Sequence, residues 1–599
     1  MEEARKYDVT RMPEVSENPF ASPYYGLWYK EIPCGDTLRR YYLYTPESYF
    51  PQMRNLSIFL PEGMGAEEFL EKSPWAGISE KESVLLILLV PGEGGYADTE
   101  SEEAYYRAAF NATFNDTENE FAAICSDSRY IMGAGKGADL ALRIALKDPA
   151  RYSGLAMFGP AFIDAETLNA FGAKLLPDGR GKEAKGYYNW NCALPAFVSA
   201  DPESSRDLTE YLKLINDTEE GFLQAQYSRV YFERHGIFND NRTHKPVSRL
   251  LVRDAEDPLS DFTDEAVVLE LWNQLFSRII RFPEDPYGAL RVHIRPKDLS
   301  VRMYEKFMPH AAFVSPVKRM FGLYVPASYD GSEALPLLVA THGFTATYEY
   351  FFKNTEFWRV AEDRGFIVAF TQATPNDGSR VGTPRWRSGA LKKLPGLNRK
   401  DDLAMLDSEI AYFRWVVEQV EEDYNIDKTR VYCTGHSNGG QMTYCLSELM
   451  QDVFAASAEV GFAVGQYPDV ASMPERDRFM PALNVECSDD RNTDPDDPES
   501  ELYKELLWRQ KENGMDVSAP RMTEIDTGRY TLRSFTNAQG FPLVGSIIYK
   551  NACHAYFPDI SYLVWDSFLC NYSRDEDGTS RYRGQVILRD KSTAQEERQ

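Results

Sequence analysis

The sequence predicts an α/β protein built as two tandem units, each a mostly parallel sheet flanked by helices. Three observations carry that reading. Short apolar, β-branched runs alternate with segments of helical periodicity along the chain, the pattern of strands covered by crossover helices. The length, 599 residues, exceeds what one hydrophobic core supports. The second half also repeats, in order, the features of the first.

Residues 1–25 are polar and carry Pro13, Pro19 and Pro23, so they read as an arm. The first regular segments are Trp28 to Pro33 and Arg39 to Tyr49, and the second ends in Leu43-Tyr44-Thr45-Pro46-Glu47-Ser48-Tyr49. That ending returns as Leu323-Tyr324-Val325-Pro326-Ala327-Ser328-Tyr329. A shared Leu-Tyr-x-Pro-x-Ser-Tyr prompts a search for further repeats, and they follow in register. Asn55 to Leu60 matches Leu335 to Ala340, and the buried-strand run Ser83 to Pro91 matches Gly365 to Thr371. Arg129 to Ala138 matches Arg430 to Gly440, Leu194 to Val198 matches Met480 to Val485, and Val252 to Asp257 matches Tyr549 to His554. Near each end a helix carries an inward-facing tryptophan, Trp272 or Trp565. The expected organisation is an arm over 1–25, one α/β unit over 26–296, a second over 297–590, and a polar tail over 591–599.

A formal charge of −27 and a pI near 4.8 argue against a nucleic-acid partner, which requires basic patches. Eight cysteines without a C-x-x-C pair do not form a disulfide scaffold, so reduced thiols are expected. Met1-Glu2-Glu3-Ala4-Arg5-Lys6 lacks the apolar stretch of a signal peptide, which points to the cytoplasm, although a chain with its signal removed reads the same. The run Val84 to Val90 is too short to span a bilayer, and no membrane association is expected.

The chemistry concentrates around Gly435-His436-Ser437-Asn438-Gly439. A strand-like run, Val431 to Thr434, stops at Gly435, and an apolar-faced helix follows from Gln441. This is the G-x-S-x-G arrangement in which a tight strand-to-helix turn exposes a serine nucleophile, with glycines where a Cβ would strike neighbouring backbone. In the α/β-hydrolase arrangement the acid and then the base follow the serine along the chain. Downstream of Ser437 the one histidine is His554, on a loop between a strand and a helix, which makes it the candidate base. The acid is expected after the strand Ala482 to Val485. There Asp490 is favoured, with Asp489 as the alternative, to accept from the His554 Nδ1–H and hold its tautomer. The strand Leu337 to Thr341 ends in His342-Gly343, the setting of an oxyanion loop. Phe344 N–H and Asn438 N–H are the candidate donors, Thr345 N–H is held in reserve, and His342 is read as a loop-shaping residue. Trp386, Tyr556 and Phe557 are candidate pocket aromatics for an aryl or hydrophobic acyl group. The histidines are scattered without ligand spacing, so neither metal nor organic cofactor is expected.

The first copy lacks this apparatus. Gly135 stands at the nucleophile position, Asp257 at the base position, and Pro61-Glu62-Gly63-Met64 at the oxyanion loop, while Asp201 persists at the acid position. Gly133-Ala134-Gly135-Lys136-Gly137 has neither P-loop spacing nor a Ser/Thr after its lysine. A catalytically inactive copy is expected, packed against its partner within the chain.

Over about 311–575 the second copy resembles the feruloyl esterase and polyhydroxybutyrate depolymerase-like esterases of the α/β-hydrolase superfamily. The resemblance is carried by Leu335 to Gly343, Asp401-Asp402-Leu403, and the lead-in Tyr424-Asn425-Ile426-Asp427-Lys428-Thr429-Arg430-Val431-Tyr432. It implies a serine esterase working through an acyl-enzyme, with Ser437, Asp490 and His554 as its triad. Aryl or feruloyl, acetyl or short polyester substrates are implied. The chain departs from the family in showing Glu486-Cys487-Ser488 where His-Gly-Thr is usual. Cys433 and Cys553 are similar in place to the cysteines that bridge triad loops in tannase-like esterases, but His436 rather than a cysteine precedes Ser437. A serine peptidase of the same fold and a non-catalytic scaffold or binding protein are the competing readings.

Overall fold

The computed structural model describes residues 4–6, 25–35, 37–47, 54–114, 128–160, 163–177, 183–221, 229–233, 247–282, 289–374, 384–388, 399–463, 478–490, 493–556 and 558–589. The chain forms two compact units, the first ending at Ile294 and the second opening at Arg295.

The second unit is organised on one sheet whose strands lie in the spatial order Arg302–Met308, Val317–Tyr324, Ile367–Thr371, Leu335–Thr341, Ile426–His436, Ala456–Val460, Ala482–Cys487, Pro542–Tyr549, Tyr530–Thr536, Arg521–Asp526. Pairing is parallel from Ile367–Thr371 through to Pro542–Tyr549 and antiparallel at both margins. The central strands are buried almost throughout because helices cover both faces. The margins differ. Arg521–Asp526 is exposed along its whole length and carries Arg521, Glu524 and Asp526, charges of the kind that blunt an edge strand.

The first unit has the same ten strands in the same spatial order, with Arg5–Lys6 added beside Gly26–Cys34. Its strand Val84–Leu89 shows how the core is divided: Leu85, Ile87 and Leu89 join one apolar cluster, and Val84, Leu86 and Leu88 join the other. Successive side chains of a strand face opposite ways, so a run of six apolar residues serves both layers at once.

Two shared devices were not legible in the sequence. Arg281 of the first unit is buried and donates to the carbonyls of Pro149, Tyr152 and Ala193, while Arg574 of the second donates to those of Gln451, Phe454 and Phe479. In each case one guanidinium satisfies three buried carbonyls at the ends of neighbouring segments, which an apolar residue would leave unpaired. Trp272 and Trp565 are buried as expected, and each lies in a single turn of π-helix, Trp272–Phe276 or Val564–Phe568. Among the described residues no helix is long and apolar enough to cross a membrane, and the seven described cysteines are free.

Candidate active site

The site of the second unit is built at the carboxyl ends of its parallel strands. Ile426–His436 gives way directly to the helix Asn438–Leu449, with Ser437 between them at φ 56° and ψ −118°. A non-glycine residue rarely adopts positive φ, and holding one there costs about 1–3 kcal/mol. The surroundings enforce it. A Cβ at Gly435 would stand 1.8 Å from Thr341 Oγ1 and 2.5 Å from the Gly439 carbonyl, and one at Gly439 would stand 2.2 Å from the Thr341 carbonyl. Thr341 Oγ1 in turn donates toward the Thr434 and Gly439 carbonyls, and Ser437 N–H donates to Val460 O at 2.8 Å. Strand, turn and helix are thus locked into a bend that leaves the Ser437 side chain half-buried at its apex.

His554 sits on the loop after Pro542–Tyr549, and its Nδ1 is hydrogen-bonded to Asp490 Oδ2. Asp490 follows Ala482–Cys487 in a short turn closed by its own N–H to Cys487 O. The adjacent Asp489 does something else: its N–H ties the acid loop to Ala552 of the histidine loop, and its carboxylate accepts from Ser488 Oγ. Gly461, whose N–H donates to Val485 O, comes so close that a Cβ on it would lie 3.0 Å from both His554 Cε1 and His436 Nε2. Only a glycine at φ 61° lets the two imidazoles pass this turn.

The oxyanion loop is held from two sides. His342 is fully buried, with Nδ1 hydrogen-bonded to Gly343 O and Nε2 accepting from the Ala373 N–H. Burial pushes its pKa down to about 4, so it is a neutral strut, the loop-shaping role read from the sequence. A Cβ on Gly343 would stand 3.5 Å from Ser437 Cβ, so the residue that precedes the candidate donor Phe344 packs against the nucleophile. Asn438 N–H heads a twelve-residue helix, where backbone donors have no intrahelical partner. The reserve donor Thr345 is a correction: its N–H is spent on Pro384 O at 3.0 Å.

The expected pocket aromatics also need correcting. Trp386 is 1 % exposed and does not overhang the site. Its Nε1–H donates to His342 O and its N–H to Asn438 Oδ1, each at 2.8 Å, so it clamps the oxyanion loop to the first residue of the nucleophile helix. Tyr556 is buried as well, with its ring against His436, Phe351 and Phe357 and its hydroxyl at Ser561 Oγ. Phe557 lies outside the described residues. The exposed aromatic beside the nucleophile is Phe344 itself, 44 % exposed, singled out in the sequence for its amide alone.

Sequence reading also missed a histidine stack and a buried acid group. The His436 ring lies 4.8 Å from that of His554, and burial, reinforced by the neighbouring imidazole, holds its pKa well below the usual value. It is therefore neutral and adds no charge next to His554. Beneath the site Glu459, paired in register with Gly435, shares Arg509 with Glu448, Glu505 and Glu512. Burial raises the Glu459 pKa to about 7. Glu486, two residues before Ser488, is raised well above the usual range by burial and then by Asp490.

In the first unit the same bend exists without the chemistry. Gly135 has φ 57° and ψ −125°, and its N–H donates to Phe158 O at 2.9 Å. A Cβ on it would lie 3.7 Å from Leu259 Cδ2, an ordinary van der Waals contact, so the bend would admit a side chain that Gly135 does not supply. Asp201 caps its own turn by accepting from the Glu203 and Ser204 amides. Glu62, in the oxyanion-loop position, accepts from Tyr96 N–H and lies 3.9 Å from Lys136. Among the described residues of the chain no group of three or more His, Cys, Asp or Glu side chains is arranged to hold a metal ion.

No family model matches the chain. It is 28% identical over 163 residues to acetylxylan esterase A of Emericella nidulans, covering 27% of this chain and 48% of that protein. It is 26% identical over 168 residues to a bifunctional acetylxylan esterase/xylanase of Neocallimastix patriciarum, covering 28% of this chain and 21% of that one. The chain thus spans about half or less of the length of these relatives. Solved structures similar to it include an acetyl xylan esterase from Aspergillus awamori, at TM-score 0.32 and 16% identity over 44% of this chain and 99% of that one. A CE1 ferulic acid esterase from Anaeromyces mucronatus matches at TM-score 0.28 and 12% identity, over 44% and 86%. By its own strand order and its elbow the chain has an α/β-hydrolase-like fold, and over about a quarter of its length its sequence is similar to acetylxylan esterases.

Proposed function

We propose that the second unit is a serine carboxylic ester hydrolase working through an acyl-enzyme, with Ser437 as nucleophile, His554 as general base and Asp490 as the orienting acid. The observation that carries this reading is the His554–Asp490 hydrogen bond on loops adjoining a serine held at positive φ. With Nδ1–H committed to Asp490, His554 is in the tautomer whose Nε2 accepts a proton. That proton comes from Ser437 Oγ as it attacks the ester carbonyl, and the imidazolium then delivers it to the leaving alkoxide. A water molecule, deprotonated in the same way, releases the acid and frees the serine. Phe344 N–H and Asn438 N–H supply the developing oxyanion with two fixed donors, and the Trp386 clamp keeps them at one spacing. Neutral His342 and His436 keep positive charge off the site until His554 takes it up.

Acetyl esters of xylan-type saccharides are the first substrates to test, because acetylxylan esterases recur among the relatives. Aryl or feruloyl esters and short polyesters follow. The first unit has a non-catalytic role, since Gly135 offers no nucleophile and Asp257 stands at the base position. The test is hydrolysis of p-nitrophenyl acetate, acetylated xylo-oligosaccharides and methyl ferulate by wild type and Ser437→Ala, with fluorophosphonate labelling of Ser437. Ser437-dependent release of acetate or ferulate is expected. Turnover that survives in Ser437→Ala, or no turnover and no labelling, overturns the reading.

A further inference from the structure

His436 takes no step in the acyl chemistry, yet its imidazole is the surface against which His554 rests. The centroids of the two rings are 4.8 Å apart with 32° between their planes, and the Tyr556 ring stands edge-on to His436 at 5.8 Å. Two glycines close in on the same imidazole. A Cβ on Gly343 would stand 3.6 Å from His436 Nδ1, and one on Gly461 would stand 3.0 Å from its Nε2. His436 is thus wedged between the oxyanion loop, the turn at Gly461 and the base. Its Nε2 is buried and finds no hydrogen-bond partner among the described residues, so shape rather than a bond at that atom holds the ring.

His554 needs such a neighbour. Its side chain is 38 % exposed on a loop, and the bond from Nδ1 to Asp490 Oδ2 fixes one point of its ring. One hydrogen bond leaves the ring free to turn about its last torsion, whose wells are broad for histidine. A flat group packed against one face removes that freedom.

Resting on the esterase reading above, we infer that His436 is a positioning residue whose ring fixes the rotation of His554. Nδ1–H then stays on Asp490 while Nε2 stays available for the serine proton. The turn at Gly461 belongs to the same device, because a methyl group there would enter the space that both imidazoles occupy, 3.0 Å from His436 Nε2 and from His554 Cε1.

The experiment measures kcat and KM for p-nitrophenyl acetate, well below each melting temperature, in wild type, His436→Phe, His436→Ala, Gly461→Ala and the double variant His436→Ala/Gly461→Ala. His436→Ala is expected to lower kcat about tenfold to a hundredfold with KM nearly unchanged, as misplacing a base does. His436→Phe, which restores a flat ring, is expected to recover most of that loss. Gly461→Ala is expected to lower kcat in wild type, but by less than about twofold in the His436→Ala background, where the vacated space accepts the methyl group. Backbone strain from alanine at φ 61° is the same in both backgrounds and does not produce that coupling. A His436→Ala kcat within about twofold of wild type, a His436→Phe no better than His436→Ala, or losses that simply multiply each overturn the inference and leave the esterase intact. Failure of the esterase reading is a separate outcome, seen as no turnover in wild type. The positioning role is then read from the low-field proton resonance of His554 Nδ1–H, expected in wild type and His436→Phe and lost in His436→Ala. Its persistence in His436→Ala refutes the role.

Discussion

Ser437 and Gly135 share one backbone conformation, φ 56° with ψ −118° and φ 57° with ψ −125°, at matching places in two sheets of the same strand order. The bend is a property of the fold, imposed by strand and helix whether or not chemistry is done there. Only the serine carries a strained side chain.

Gly135→Ser is therefore expected to cost stability, about 1–3 kcal/mol for a non-glycine residue at positive φ. It is expected to give no esterase activity in a Ser437→Ala background, because the base position holds Asp257. Ser437→Gly should do the reverse and abolish turnover while raising the melting temperature. Thermal melts and p-nitrophenyl acetate assays on both variants check this, and a Ser437→Gly protein less stable than wild type would mean the elbow is not strained.

Asp490 and Asp489 are neighbours with different partners, so their amides should separate cleanly. Asp490→Asn removes the carboxylate that fixes the His554 tautomer and stabilises its cation, and a loss of about 10³–10⁴ in kcat is expected. Asp489→Asn keeps the backbone tie to Ala552, and kcat should stay within a few-fold of wild type. Equal losses in the two variants would point to the loop as a whole rather than to one acid.

Trp386→Phe tests whether this aromatic is a wall or a clamp. The substitution leaves the His342 carbonyl without its indole donor in a buried place, which costs about 1–3 kcal/mol. Because the clamp sets the spacing of the Phe344 and Asn438 amides, kcat should fall by about tenfold across aryl and acetyl esters alike. A change confined to bulky aryl substrates would make Trp386 a specificity residue instead.

The parts of this architecture that were legible in the sequence are those imposed by local constraint. Gly435 and Gly439 flag a bend because no other residue fits, and the order Ser437, Asp490, His554 follows from which strand ends meet at the rim. The repeat was legible because Leu-Tyr-x-Pro-x-Ser-Tyr recurs and the strand segments after it match in order, down to the bend glycines Gly133, Gly135 and Gly137. Features settled by long-range packing were not. Trp386 reads as a loop aromatic until the His342 carbonyl, 44 residues away, is seen to need its N–H. Nothing in the sequence marks Arg281 or Arg574 as buried, because the carbonyls each one collects lie on segments far apart in the chain. Thr345 looks like a free donor until Pro384 folds over it.

Glu459 makes the sharpest prediction about pH. It lies beside Gly435 in register, buried, with Glu448, Glu505 and Glu512 grouped on the same Arg509. One guanidinium does not neutralise four carboxylates, so burial wins at Glu459 and its pKa rises to about 7 from an unfolded value near 4.5. Between those two values the native state holds a proton that the unfolded state has released. Stability from this group is therefore complete below about pH 4.5, declines as pH rises, and is lost above about 7. His342, held down to about 4 by burial, contributes the opposite slope from about 4 to 6.5, so the wild-type curve alone does not isolate Glu459. The difference curve does. Glu459→Gln stays uncharged at every pH and keeps an oxygen for Arg509, so its melting temperature should fall less than that of wild type from pH 5 to pH 8. Parallel melting curves for the two proteins across that range would mean that Glu459 is ionised throughout and that Arg509 prevails over burial.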